Sequence, residues 1–151
     1  MVFALSSFAA PSRPKPKPVD EHVKLYNTAY DEIQKLEFAS AQVLLERALR
    51  LEPDFAEAHN NLAYTLRKLG EDHYDKALEH YNTAIELDEK LAEAYMYRGV
   101  LYVKIGSKDS AEADLETLDA MGSDLAAELA YVIENGVEKT PEGFFGVAGK
   151  K

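Results

Sequence analysis

Apolar and small side chains recur at steps of three and four residues along most of the chain after position 20. The stretch from 74 to 85 shows this best, with Tyr74, Ala77, Leu78, Tyr81, Ala84 and Ile85 on one stripe. Residues 62–69 have the same spacing, which is typical of a helix with one buried face. Gly70 stands between the two stretches, and glycine supplies the left-handed geometry that ends many helices. The pattern predicts two amphipathic helices joined by a tight turn.

This helix pair is repeated along the chain. One set of equivalent small residues is Ala29, Ala63 and Gly99, and a second set is Ala41, Ala77 and Ala111. The distance from the first small residue to the second is 12 positions in the outer copies and 14 in the middle copy. Two residues are therefore inserted in the middle copy, between Gly70 and Tyr74, where both helices stay intact. The sequence predicts an all-α protein built from three helix-turn-helix units.

A period near 34 residues, with small side chains where paired helices cross, resembles the tetratricopeptide repeat. The middle copy carries the family pattern best, through Leu62, Ala63, Leu69, Gly70, Tyr74, Ala77, Tyr81, Ala84 and Leu87. Copy one departs at Thr28, Glu32 and Leu36, where the family favours leucine, an aromatic residue and glycine. Copy three departs at Arg98 and Lys108. The resemblance implies an α-solenoid of three repeats, since small residues let paired helices approach closely.

The predicted repeat domain covers residues 20–136. Asp20 is the expected N-cap of a first helix near residues 21–35, and its partner helix is expected at about 38–51, before Pro53. The third pair is expected at about 92–105 and 108–121. Residues 123–136, SDLAAELAYVIENG, predict a seventh helix with Ser123 as its cap. Its alternating apolar and acidic residues favour a helix that caps the end of the stack.

Two segments lie outside the predicted repeats. Residues 1–19 pair a short apolar piece with a linker rich in proline and lysine, which is typical of a flexible tail or the remnant of a secretory signal. We therefore expect a soluble protein, with export favoured over a cytoplasmic location. Residues 137–151 form a glycine-rich tail. Its Phe144 and Phe145 are expected to pack on the cap helix, with a neighbouring molecule or a partner as alternatives.

Composition and charge exclude several classes of function. The sequence has no cysteine, which excludes disulfides and zinc sites built on thiolates. No apolar run reaches the length of a membrane span. Residues 20–151 hold 17 − 3 = 14 basic against 27 acidic residues, a net charge of −13, so nucleic acid is not an expected partner. The excess acid is typical of a solvated outer face, with preference for a basic partner as the alternative.

Catalytic chemistry finds no support in the residues. The four histidines, His22, His59, His73 and His80, lack the helical spacing of a zinc site, and neither a nucleophile elbow nor a phosphate loop occurs. His59 is expected to be a packed, hydrogen-bonded ring. The sequence therefore predicts no enzyme, no cofactor and no metal.

The family resemblance implies a protein-protein interaction module that binds a peptide or helix of a partner in a concave groove. Its usual groove positions fall here on Tyr26, Tyr30, Glu57, Asn60, Asn61, Tyr64, Arg67, Lys68, Glu93, Met96, Val100 and Lys104. Aromatic and aliphatic anchors beside a few acids favour an uncharged or mildly basic partner. The alternative is a structural module that forms a homo-oligomer through its groove or through Phe144 and Phe145.

The resemblance also allows one family-specific expectation to be tested against the residues. Cochaperones of this family hold an acidic C-terminal tail with two lysines, two asparagines and an arginine. Asn61 matches one asparagine, but the other four positions carry Tyr26, Tyr30, Glu93 and Tyr97. Because Glu93 would repel a carboxylate, we expect no binding of acidic chaperone tails.

Overall fold

The computed structural model describes residues 20–139 and 147–151, and the chain forms α-helices and no strands in that part. The helices are α1 (Glu21–Gln34), α2 (Phe38–Leu51), α3 (Ala56–Leu69), α4 (Tyr74–Leu87), α5 (Ala92–Lys104), α6 (Lys108–Ala120) and α7 (Leu125–Asn135). Consecutive helices α1 to α6 pack as three hairpins, and α7 packs on α5 and α6. The predicted helices and the α-solenoid are confirmed. Helix α7 starts one residue later than a cap at Ser123 implies, and the Ser123 Oγ accepts a hydrogen bond from the Leu125 N–H at 3.2 Å.

The small residues lie where paired or neighbouring helices cross. All of the alanines in the two equivalent sets are fully buried, namely Ala29, Ala41, Ala63, Ala77 and Ala111. Gly99 belongs to the same set, and a Cβ atom at that position would lie only 2.6 Å from the Cδ2 of Leu129 in α7. Close packing therefore requires the small side chains that define the repeat.

The two inserted residues of the middle copy fold into a 3₁₀ turn, Glu71–His73, between α3 and α4. Gly70 precedes it with φ 126° and ψ 179°, which is not the left-handed helical geometry that we expected but an extended region open to glycine alone. Left-handed residues end α1 and α5 instead: Leu36 at φ 63° and Gly106 at φ 79°. Copy one thus puts a leucine where copy three has glycine.

The departure of copy three at Arg98 has a structural explanation. Its guanidinium spans from α5 to α6, with Nη2 2.6 Å and Nε 3.1 Å from the Asp114 carboxylate oxygens. The side chain of Asp114 is 3% exposed. Burial raises the pKa of Asp114, and Arg98 partly opposes that rise. A buried ion pair therefore replaces part of the apolar contact between these two helices.

No helix in the described ranges is long and apolar enough to cross a membrane.

Candidate functional site

One face of the solenoid is formed by the first helix of each hairpin, α1, α3 and α5. We call this face the groove. It holds residues 147–151, which we call the docked segment and which fold back from the far end of the sequence. Val147 and Ala148 of this segment are 7% and 3% exposed. The groove is therefore occupied by a short non-helical stretch of the chain itself.

Two asparagines of the groove each form a pair of hydrogen bonds with the backbone of one docked residue. The Asn61 Oδ1 accepts from the Ala148 N–H at 2.8 Å, and its Nδ2 donates to the Ala148 carbonyl oxygen at 2.9 Å. Asn27 does the same for Lys151, at 2.9 Å to its N–H and 2.8 Å to its backbone oxygen. An amide side chain offers one acceptor and one donor group, which matches the backbone of a single residue. The contacts therefore recognise polypeptide and not a particular side chain.

Tyr26 completes the contact around Ala148. Its hydroxyl accepts from the Asn61 Nδ2 at 3.0 Å and lies 2.8 Å from the Ala148 carbonyl oxygen, to which it can donate. Burial, and then the negative charge of Glu57, raise the pKa of Tyr26 well above its usual range. The hydroxyl therefore stays protonated and remains a donor at all physiological pH values.

Acidic side chains of the groove meet the two lysines of the docked segment. The Lys150 Nζ lies 2.6 Å from the Asp31 Oδ1, and the Lys151 Nζ forms an ion pair with Glu57. The Lys150 ammonium group also lies 5.9 Å from the centre of the Tyr30 ring. These ion pairs are partly exposed, so they contribute little to stability.

A buried ion pair holds the chain where it leaves α7. The guanidinium of Arg67 makes two hydrogen bonds to the Glu138 carboxylate, at 2.9 and 3.1 Å. The Arg67 side chain is 1% exposed, and its guanidinium carbon lies 4.6 Å from the centre of the Tyr97 ring. Burial disfavours the charge of Arg67, but Tyr81 and Glu138 outweigh burial and keep its pKa raised. Both described parts of the glycine-rich tail, residues 137–139 and 147–151, thus contact the repeats, while Phe144 and Phe145 lie outside the described residues.

Several of the expected groove residues are buried. Tyr64, Met96 and Val100 are at most 3% exposed, and they belong to one buried cluster with Val147 and Ala148 of the docked segment. The Tyr64 ring packs 5.0 Å from the Tyr97 ring, and burial raises the pKa of Tyr64 to about 12.

The other expected positions differ in burial. Asn60 and Arg67 are buried, whereas Tyr30, Glu57, Lys68 and Glu93 are half-buried and Lys104 is exposed. Of the twelve expected residues, the structure brings Tyr26, Tyr30, Glu57 and Asn61 together around the docked segment.

Sequence reasoning missed Asn27 and Asp31. Both lie on α1 and contact Lys151 and Lys150. They are four residues apart and therefore share a helix face, next to the stripe that carries Tyr26 and Tyr30. That spacing was the available signal, because a polar pair beside a tyrosine stripe can contact a bound backbone.

A second concavity lies on the opposite side of the solenoid, among α2, α3 and α4. Its volume is about 480 Å³, and its lining includes Glu46, Leu49, His59 and His80. The His59 Nε2 donates to the Pro53 carbonyl oxygen at 2.9 Å, so neutral His59 accepts at Nδ1 from the His80 Nδ1–H, also at 2.9 Å. The expectation of a hydrogen-bonded His59 ring is confirmed. No group of three or more metal-binding side chains occurs here or elsewhere in residues 20–139 and 147–151.

Comparison with known proteins identifies the repeats. A family model described as TPR repeat matches residues 72–106, and one described as tetratricopeptide repeat matches residues 44–79. The chain is a tetratricopeptide repeat protein. Its buried small residues and its turns lie where the three hairpins of such a solenoid require them.

Two curated relatives share part of this repeat region. The chain is 36% identical over 97 residues to tetratricopeptide repeat protein 36 homolog from Drosophila melanogaster, which covers 61% of the chain and 51% of the relative. It is 34% identical over 70 residues to the UDP-N-acetylglucosamine–peptide N-acetylglucosaminyltransferase of Giardia intestinalis, over 46% of the chain and 5% of that enzyme. The chain therefore spans about half or less of the curated relatives that it matches.

Solved structures support the same fold. The first TPR of Spaghetti (RPAP3), solved with the HSP90 peptide SRMEEVD, matches with a TM-score of 0.69. The identity is 17%, and the match covers 80% of this chain and 98% of that one. At this identity the likeness concerns the helical solenoid alone.

Proposed function

We propose that this tetratricopeptide repeat protein is a non-catalytic interaction module whose groove binds a non-helical segment of a partner protein. The observation that carries the proposal is the docked segment, whose backbone is held by Asn61 and Asn27. Side chains that pair with both polar groups of a backbone residue can hold any chain of the same conformation. The Spaghetti structure, in which this fold holds a peptide of another protein, supports the proposal by analogy.

The charges of the groove favour a neutral or basic segment over an acidic one. Asp31 and Glu57 face the docked lysines, and Glu93 is half-buried on the neighbouring helix α5. An acidic peptide such as the SRMEEVD bound by Spaghetti would place carboxylates beside these acids, which costs binding free energy. We therefore expect acidic chaperone tails to bind weakly or not at all.

Peptide selection followed by mapping on the protein tests this proposal. Peptides selected from a displayed library should shift the amide resonances of α1 and α3 in titrations followed by nuclear magnetic resonance. Asn61→Ala should weaken their binding about tenfold or more in a chain whose docked segment has been released by Lys150→Glu and Lys151→Glu, because an amide that pairs with two backbone groups is lost. Val43→Ala, at an exposed position of α2 outside the groove, is the matched control. Shifts confined to α2, α4 and α6 would place the recognition surface on the opposite side and refute the proposal.

Self-assembly through the groove would be the same contact made between two copies. In that form the docked segment of one chain would occupy the groove of another, with the same asparagine contacts. Light scattering at several protein concentrations distinguishes the two, since a single chain with its own segment docked is a monomer at every concentration.

A further inference from the structure

The docked segment has a sequence as well as a backbone, and its surroundings differ from one residue to the next. Val147 and Ala148 are buried, whereas Gly149 is exposed and its backbone oxygen lies 2.9 Å from the Tyr26 hydroxyl. A Cβ atom added at Gly149 would lie in open space. Lys150 and Lys151 are paired with acids. The groove thus offers two positions for apolar side chains, one position without a side-chain preference and two positions for cationic side chains.

The backbone contacts add a restriction on conformation. Ala148 and Lys151 must each present an N–H group to an asparagine oxygen. Proline has no N–H, so it is excluded at both positions. A larger side chain than alanine at 148 would meet a site that leaves only 3% of that residue exposed. Position 148 therefore selects a small residue.

We propose that the groove recognises the pattern apolar, small, any, basic, basic, and that residues 147–151 are the chain's own displaceable copy of it. The proposal rests on the function proposed above, because it takes the groove as the site where a partner segment binds. A partner with this pattern gains access only when the docked segment leaves.

The strength of this competition can be estimated from the tether. Glu138 is fixed by Arg67, and nine positions separate it from Val147, so the segment returns to the groove at an effective concentration of about 1 mM. A free peptide that binds the empty groove with a Kd of about 10–100 μM would then face a segment docked about 90–99% of the time. Its apparent affinity for the intact chain should be about 10- to 100-fold weaker than for an undocked chain.

The experiment uses the full chain and a labelled peptide, acetyl-GVAGKK, which reproduces residues 146–151. In one variant, Lys150→Glu and Lys151→Glu release the docked segment by repulsion from Asp31 and Glu57. Fluorescence anisotropy should show at least tenfold tighter peptide binding to this variant than to the natural chain. The variant with Lys150→Arg and Lys151→Arg, which keeps both charges, should behave like the natural chain. The peptides GVAGEE and GVPGKK should bind neither.

A second measurement reports docking in the natural chain without any peptide. The amide hydrogen of Ala148 should exchange at least about tenfold more slowly than in a free peptide, because it is bonded to Asn61 most of the time. Asn61→Ala should remove this protection. A circular dichroism spectrum of unchanged helicity in Asn61→Ala shows that the loss is local.

The possible failures are distinguishable. Unprotected Ala148, with equal peptide binding by the natural chain and the double-glutamate variant, would refute the docked competitor. Binding of selected peptides to α1 and α3, without any binding of GVAGKK, would refute the pattern while leaving the proposed function in place. A dimer that the two glutamates dissociate would show that the segment docks between copies, and it too would overturn the intramolecular competitor.

Discussion

The ion pair of Arg98 and Asp114 makes a sharp test of how copy three is stabilised. Arg98→Leu restores at this position the residue that copy two has in Leu62. It also removes both hydrogen bonds to an Asp114 side chain that is only 3% exposed. The remaining carboxylate is then buried without its charged partner. We expect this variant to lose about 3–5 kcal/mol of unfolding free energy at pH 7.

Truncation of Asp114 instead of Arg98 should lower the free energy of unfolding by less. In Asp114→Ala the guanidinium of Arg98, whose side chain is 17% exposed, can still reach water and keeps its 2.8 Å hydrogen bond to the Asn82 Oδ1. The loss is then that of hydrogen bonds to a charged group, about 1.5–3 kcal/mol. The double variant buries no charge at this position. Its cost should fall below the sum of the single costs by at least about 2 kcal/mol.

The pH dependence of stability gives a second, independent test of this ion pair. Burial raises the pKa of Asp114 in the folded chain, and without Arg98 that pKa should rise further. An acid whose folded pKa is raised contributes stability at low pH and loses it as the pH increases towards the folded pKa. The cost of Arg98→Leu should therefore grow from pH 4 to pH 7.

Urea unfolding followed by circular dichroism, with the slope m compared among the four proteins, measures these free energies. Additive costs, or an Arg98→Leu cost that does not change with pH, would refute the view that a buried charge pair couples α5 to α6.

Three further predictions concern other parts of the fold. Burial, and then His59, lower the pKa of His80 to about 4. The free energy of unfolding should therefore fall as the pH drops from about 6.5 towards 4, by about 3 kcal/mol in total. His80→Gln should remove that part of the pH dependence, and His73→Gln, in the 3₁₀ turn, should not. Leu36→Gly should stabilise the chain by up to about 1 kcal/mol, because Leu36 has a left-handed backbone and its side chain is 48% exposed. Gly106→Ala should destabilise the chain, since alanine would have to adopt the left-handed backbone of Gly106. Thermal unfolding measures both effects. Gly99→Ala should lower the unfolding free energy in urea by about 1 kcal/mol, since overpacking against α7 outweighs the gain in helix propensity; unchanged stability would contradict the close approach.

The helices and their register could be predicted because their signals are local. Small residues recur where helices cross, and turn residues separate the stripes. Ala77 and Gly99 lie where the repeat pattern put them, and both are buried. Such positions are fixed by the few residues on either side, so a single sequence is sufficient to find them.

The docked segment could not be predicted in the same way. Asn61 and Ala148 lie 87 positions apart, and their contact is made by backbone groups that every residue has. No periodic pattern of hydrophobic residues indicates such a contact. The burial of Asp114 was missed for a related reason, because an acid on a helix is most often solvated and only its distant partner, Arg98, makes burial tolerable.

The positions of two carboxylates bear on why the chain is acidic. A net charge of −13 over residues 20–151 is explained equally well by a solvated surface and by a preference for basic partners. The distinction depends on where individual acids lie, and Asp31 and Glu57 lie against the lysines of the docked segment. Under the proposed function, the other acids add a diffuse field that would speed the approach of a basic segment. Under the proposed function, selection for lysine at two defined positions would therefore arise in the groove, while the rest of the charge would govern how quickly such a segment arrives.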